Sequence, residues 1–337
     1  MADGTTTYGD INQRTAAWAA TEALSHAEPV LVLGKFGQMK PLPKNKAKTV
    51  KFRRSIPFAA ATTPLVEGVT PTAQKIAYED VEAIIQQYGR PTELTDVVAD
   101  LSEDPVLKDM MVLAGEQAAL TIEMVIYGVV KAGTNVFRAN GSARTDINTP
   151  ISLNKQRQVV RALRANKAGF ITQVLDASPK YGTRAVEAGY VAVCHTDCES
   201  DIRNLPTFTP VAEYGSRMPI SPHELGTCEN IRYIVSAELA PWDDAGGAKG
   251  GSGVNMVSTT GTSADIYPVI YFGKEAYGQI PLKGARAITP IVINPDRPDK
   301  SDPMGQRGYV SWKTYFTAVR LNEVWMARLE VAVTDLA

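Results

Sequence analysis

The stretch "EDPVLKDMMVLAGEQAALTIEMVIYGVVKAG", Glu103 to Gly133, decides the architecture. Asp104 stands where an N-cap belongs, and Pro105 takes the first helical position, where a missing N–H costs nothing. Gly133 lies just past the far end, the place for a residue that tolerates the left-handed conformation. A helix from Pro105 to Ala132 would span about 42 Å at ~1.5 Å per residue. Asp109, Glu116 and Glu123 recur every seven residues and predict one narrow polar stripe, with Val112, Leu120 and Val130 buried. The remaining faces are apolar almost all round, so neighbours must cover this helix on several sides. It reads as the strut of the fold.

C-terminal to the strut, "ISLNKQRQVVRALRANKAG", Ile151 to Gly169, predicts a second helix that is amphipathic and basic on its outer side. The chain then alternates: strand Tyr190 to Cys194, short helix Thr196 to Asn204, and strands Ile231 to Ser236 and Tyr267 to Phe272. Between the last two lies a Gly- and Ser-rich insertion, residues 243–265, whose composition reads as a mobile surface loop. "GYVSWKTYFTAVRLNEVWMARLEVAV", Gly308 to Val333, is aromatic and β-branched and reads as paired strands on the long helix. N-terminal to the strut, residues 1–13 are small and polar, and Arg14 to Ala27 predicts a short helix closed by Pro29. Thr49 to Phe52 and Ala77 to Glu93 have strand character, with the Pro-rich "PFAAATTPLVEGVTPTAQ" between them. Lys48 to Leu94 therefore reads as two long arms joined by a loop, with nothing to make a core.

The chain has 337 residues, is 44% apolar and carries a net charge of −1, which describes a folded protein of one large domain or two to three lobes. That balance argues against a dedicated nucleic-acid binder, which shows a basic excess. The start lacks a basic n-region and an apolar h-region, and no apolar run free of charges reaches membrane-spanning length. Three cysteines suit reduced thiols, so the expectation is synthesis and folding in a cytoplasm, with no membrane.

The charges are segregated. "KPLPKNKAKTVKFRR", Lys40 to Arg54, holds seven basic residues and no acidic one. From Glu67 to Glu123 there are twelve acidic residues against three basic. Extended arms of opposite sign gain little in an isolated chain, because exposed pairs are weak and screened. They gain register and partner choice when one copy lies across the next. Lys44, Lys46, Lys48, Lys51, Arg53 and Arg54, with Asp96, Asp100 and Glu103, are accordingly the candidate inter-subunit contacts.

No catalytic or cofactor signature competes with this reading. There is no Walker A, no G-x-G-x-x-G after a strand and no G-x-S-x-G elbow. Cys194, His195, Cys198, His223 and Cys228 include soft ligands, but the paired C-x₂-C spacing of zinc sites is missing. Buried thiols and a turn histidine are the preferred reading, with no metal, no cofactor and no enzyme.

The segments "GQMKPLPKNKAKTVKFRR", "ATTPLVEGVTP", "DPVLKDMMVLAGEQAALTIEMV", "AGTNVF", "EAGYVAVCHTDCESDIRNLPTFTPV" and "DKSDPMGQRGYVSWKTYFTAVRLNEVWMARLE" resemble, in that order, the major capsid proteins of tailed phages in the N-four group. The resemblance covers roughly residues 8–333 and departs most at the insertion. It implies an α+β fold of the Hong Kong ninety-seven type. The parts it implies are an N-terminal arm (1–35), an extended β-hairpin loop (36–95), a peripheral domain (96–140 and 295–337) and an axial domain (141–294). It further implies self-assembly into hexamers and pentamers of an icosahedral shell in the virion, enclosing double-stranded DNA without sequence-specific binding. The implied partners are a separate scaffolding protein, a portal and a decoration protein. A nanocompartment shell of the same fold, or a nucleic-acid-binding protein using the basic run, are the alternatives.

Overall fold

The computed structural model describes residues 5–6, 32–43, 45, 47–65, 67–96, 106–175, 183–215, 217–251, 253–282, 288–293, 295, 298 and 302–336. The helix expected over Arg14 to Ala27 and the cap residues Asp104 and Pro105 fall outside them. In chain order the strands begin with β1 (Thr5–Thr6), β2 (Gln38–Met39), β3 (Thr49–Ser55), β4 (Tyr78–Ile84) and β5 (Gln86–Thr95). Helix α1 (Val106–Lys131), β6 (Val136–Arg138), α2 (Leu153–Ala165), β7 (Ile171–Leu175), β8 (Thr183–Cys194) and α3 (Glu199–Arg203) follow. The remainder is β9 (Phe208–Pro210), β10 (Glu224–Cys228), β11 (Ile231–Val235), β12 (Tyr267–Phe272), β13 (Tyr277–Pro281), β14 (Ile288–Ile293), β15 (Arg307–Arg320) and β16 (Met326–Val331).

Two sheets and one hairpin organise these strands. A six-stranded sheet runs β1-β5-β15-β13-β2, with β14 also on β15. An eight-stranded sheet runs β6-β16-β12-β8-β11-β10-β9, with β7 on β8. Among the described residues β3 and β4 pair only with each other. β15 alternates strictly along most of its length: Gly308, Val310, Trp312, Thr314, Phe316 and Ala318 turn inward.

α1 joins the two sheets. Its first half lays Leu107, Met110, Met111, Ala114 and Ala118 on Val310 and Trp312 of β15, and Trp312 donates from Nε1 to Gln117 at 3.0 Å. Its second half packs Ile126, Tyr127 and Val130 against Val191, Val193, Ile234, Ile270 and Phe272 of the eight-stranded sheet. α2 and α3 cover the opposite face of that sheet through Val159, Leu163 and Ile202. Covered on both faces, β12 and β16 are buried at every residue. By length and composition alone α1 could cross a membrane; here it packs against the two sheets along part of its apolar surface.

Four sequence readings need correction. The first is the polar stripe on α1. Asp109 and Glu116 are exposed, but Glu123 is fully buried. Its Oε1 accepts from the backbone N–H of Val32 (3.3 Å) and Leu33 (3.0 Å), while Oε2 has no partner. A short helical turn at Leu33–Lys35 lies over this part of α1, held also by Gln279 Nε2 donating to Leu33 O (3.2 Å) and Gly34 O (3.1 Å). Val130 is buried as expected, whereas Val112 and Leu120 are only partly covered and Leu113 is 62% exposed.

The second correction concerns residues 243–265, which are laced down rather than loose. Trp242 and Ile266 exchange backbone hydrogen bonds, Ala264 N donates to Gly247 O (2.8 Å), and Val257 N donates to Val333 O (2.8 Å). Met256, Ala264 and Ile266 form a small core with Ile147 and Ala332. The Asp265 carboxylate accepts from Asp244 N (2.7 Å), Thr259 N (3.2 Å) and Thr259 Oγ1 (2.9 Å). Beside the insertion, the Trp242 ring is faced by Lys131 Nζ at 4.1 Å and Arg144 Cζ at 3.8 Å. Glycine serves close approach here: a Cβ on Gly246 would stand 2.6 Å from Ile147 O.

Third, the single strand expected over Ala77 to Glu93 is two. Ile85 breaks it, turning inward with its N–H on Lys48 O (3.0 Å), so β4 stays in the hairpin and β5 joins the six-stranded sheet. The hairpin root has a core after all, made by Val50, Phe52, Ala83 and Ile85 with Ile280. Fourth, β15 and β16 do not pair. β15 is central to the six-stranded sheet, while β16 lies between β12 and β6 in the other. The chain changes sheets at the turn Glu323–Trp325.

Candidate assembly surface

Among the described residues, the hairpin is the part least absorbed by its own subunit. Val50 and Phe52 point into the small root core, so the alternation of β3 turns Lys51 and Arg53 outward. The antiparallel register sets Lys51 opposite Glu82, Arg53 opposite Asp80 and Arg54 opposite Glu79. All three pairs close. Lys51 meets Glu82, Arg53 forks onto Asp80 at 2.7 and 2.8 Å, and Arg54 holds one Glu79 oxygen at 2.8 and 2.6 Å. The Arg53 hydrogen bond holds the Asp80 carboxyl below its ordinary range, and Glu82 pushes the Lys51 ammonium up. These pairs are solvent-exposed, so they set register and stiffness more than stability.

Beyond the ladder, residues 56–77 leave the body of the subunit. Ile56 N still donates to Ala77 O (2.9 Å). Past that bond the described residues of the tip are all exposed. They include Ile56, Phe58 (55%), Leu65 (79%), Val69 and Ile76. Pro57, Pro64 and Pro71 keep the tip extended, and Gly68 turns it at φ +77° with nothing within 4 Å. Exposed apolar residues concentrated on one projecting element mark a surface that another molecule covers.

The candidate contact residues are distributed unevenly over this surface. Lys51, Arg53 and Arg54 are already partnered within the hairpin. Their partners Glu79, Asp80 and Glu82 were readable from the sequence only by folding "YEDVEAI" antiparallel onto "TVKFRRS". Lys48 is exposed at the entry to β3, beside an open cleft of about 720 Å³ also lined by Leu42, Ile85, Leu282 and Tyr315. Asp96 follows β5, its N–H on Gln306 O at 2.9 Å, and it is not brought onto the basic strand. Lys44, Lys46, Asp100 and Glu103 lie outside the described residues.

The cysteines are core residues. Cys194, Cys198 and Cys228 are buried free thiols, and a hydrogen bond with Cys194, together with burial, pushes the Cys198 thiol up. His195 caps a turn, its Nδ1 accepting from Asp197 N at 3.1 Å. Among the described residues no three His, Cys, Asp or Glu side chains converge to hold a metal.

A strut helix bridges two sheets, and a hairpin projects with an apolar tip that the described residues of its own subunit leave exposed, a surface suited to cover by another molecule. The chain belongs to the phage capsid protein family, whose model matches residues 78–297. It is 20% identical over 295 residues to the major capsid protein of Pseudomonas phage KPP21, covering 82% of this chain and 74% of that one. The fold is shared with the capsid of Ralstonia phage GP4 (TM-score 0.63, 13% identity, 89% and 88% of the two chains). It is shared as well with the Cyanophage Pam1 capsid (TM-score 0.58, 14% identity, 99% and 97%). The fold is thus the α+β Hong Kong ninety-seven type, and the chain is a structural component of a phage capsid.

Proposed function

We propose that this chain is the major shell subunit of an icosahedral phage head, closing into hexamers and pentamers around double-stranded DNA. Ring-closing heterologous contacts suit a subunit with one projecting arm and a separate body to receive it. The observation that carries the reading is the exposed apolar tip at residues 56–77, on a hairpin whose root is firmly packed. In this reading residues 1–35 are an arm and 36–95 the extended loop. Residues 96–140 and 295–337 are peripheral, and 141–294 axial. Lys44, Lys46 and Lys48 meet Asp96, Asp100 and Glu103 of the next copy, while Lys51, Arg53 and Arg54 stiffen the arm. A separate scaffolding chain, a portal and a decoration protein complete the expected partners. The finer N-four grouping rests on the wording of the capsid-like motifs.

Negative-stain images of the purified chain test this directly. Closed shells of uniform size are expected, and shells isolated from lysate should yield DNA of genome length. Phe58→Asp with Leu65→Asp should leave the melting temperature of the subunit unchanged and abolish closed shells. Normal shells from that variant would remove the tip from the assembly surface.

A further inference from the structure

The cations of β3 are poor polyanion contacts, because Lys51, Arg53 and Arg54 are neutralised in place. A different element carries free positive charge. α2 and its flanks, residues 151–170, hold five basic residues and no acidic one in a chain of net charge −1. Gln156, Val159 and Leu163 are buried, so Arg157, Gln158, Arg161 and Arg164 take the outer side. Lys167 follows just past the helix end, and Lys274 sits beside Gly169, its N–H on Gly169 O at 2.9 Å. Among the described residues two carboxylates answer this patch: Glu229 takes Arg157 at 2.6 Å, and Glu275 lies 3.9 Å from Lys274. Arg164 spreads over the Phe170 ring. Lys155, Arg161 and Lys167 make no ion pair among the described residues.

We propose that the outer face of α2 is a sequence-independent phosphate contact for duplex DNA, and is therefore the side of the subunit turned toward the enclosed genome. This rests on the shell reading above. Composition separates nucleic acid from a neighbouring subunit as the partner. Protein interfaces have an apolar or aromatic centre, whereas nucleic-acid interfaces are polar and strongly basic. None of the exposed large apolar residues lies between 151 and 170, in contrast to the hairpin tip. Cations one helical turn apart, about 5.4 Å, on long flexible stems can each find a phosphate on a polymer with one charge per about 1.7 Å of axis. Arg157 is held by Glu229 and Arg164 lies over Phe170, while Lys155, Arg161 and Lys167 have no ion-pair partner among the described residues to fix them against a base edge, so contact with phosphates without sequence choice is the expected mode.

The test is fluorescence anisotropy of a labelled 20-base-pair duplex against the purified full chain, kept dilute and unassembled, over a sodium chloride series. The triple variant Lys155→Gln, Arg161→Gln, Lys167→Asn should flatten the slope of log K against log salt by about 2.7, at roughly 0.9 per cation removed. Gln158→Lys, a gain on the same face, should steepen the slope by about 0.9 and guards against a misfolded triple variant. Both variants should still form closed shells. An unchanged slope in both variants, or no salt-dependent duplex binding by the parent chain, overturns the proposal. So does loss of shells with the slope retained, which would make the face a contact between subunits. Failure of the parent chain to form shells would refute the shell reading instead, through a separate measurement.

Discussion

Glu123 links the strut helix to the segment at Val32–Phe36, and its protonation should be visible in the stability of the subunit. Burial pushes its carboxyl up from 4.5 to about 7, against the backbone N–H donors of Leu33, Val32 and Gly34, with Glu238 adding to the rise. A carboxyl raised in the folded state stabilises the fold when protonated. That contribution is complete below about pH 4.5 and is lost as pH climbs through about 7. A shift of about 2.5 units at 1.36 kcal/mol each corresponds to roughly 3 kcal/mol between those limits. Glu123→Gln keeps the size of the side chain and an acceptor for Val32 and Leu33, but does not titrate. Relative to the parent chain it should therefore gain about 3 kcal/mol between pH 4.5 and pH 8. The amide NH₂ placed where Oε2 has no partner adds a constant offset, so the pH dependence is the informative quantity. Urea unfolding of the unassembled chain at half-unit steps from pH 4.5 to 8.5 measures it. Parallel curves for the two proteins, or a gain that grows toward acid, would refute a buried carboxyl titrating near neutrality.

Two further outcomes follow from the packing and the charges. Gly246→Ala places a Cβ 2.6 Å from Ile147 O and from the Ile266 side chain, so it should destabilise the subunit by about 1–3 kcal/mol; a melting temperature equal to the parent's would contradict the laced insertion. Lys44→Glu, Lys46→Glu and Lys48→Glu together should block shell assembly without changing subunit melting, and reversing Asp96, Asp100 and Glu103 to Lys should restore part of it; normal empty shells from the triple-Glu variant would remove these lysines from the interface.

What was legible in the sequence was local. The strut from Val106 to Lys131, the second helix at Leu153–Ala165, and β12 at Tyr267–Phe272 follow from periodicity, capping chemistry and β-branched runs, which act within a few residues. The projecting hairpin followed from opposed strands around a proline-rich stretch, and the family from the order of its motifs. The candidate site was legible as charge but not as pairing. Which carboxylates meet Lys51, Arg53 and Arg54 depends on an antiparallel register that the break at Ile85 fixes. The same limit explains the other corrections. A heptad of acids looks like one solvated stripe until the chain some ninety residues earlier arrives to cover Glu123. A glycine-rich run has the composition of a loose loop whether its glycines serve freedom or, as at Gly246, the approach of another backbone. β15 and β16 are adjacent and alike in sequence, yet different sheets take them, because the edges open to each are set by strands far away in the chain. Short-range propensities fix elements, while burial, register and strand order are set by contacts between distant parts of the chain, which only the tertiary structure brings together.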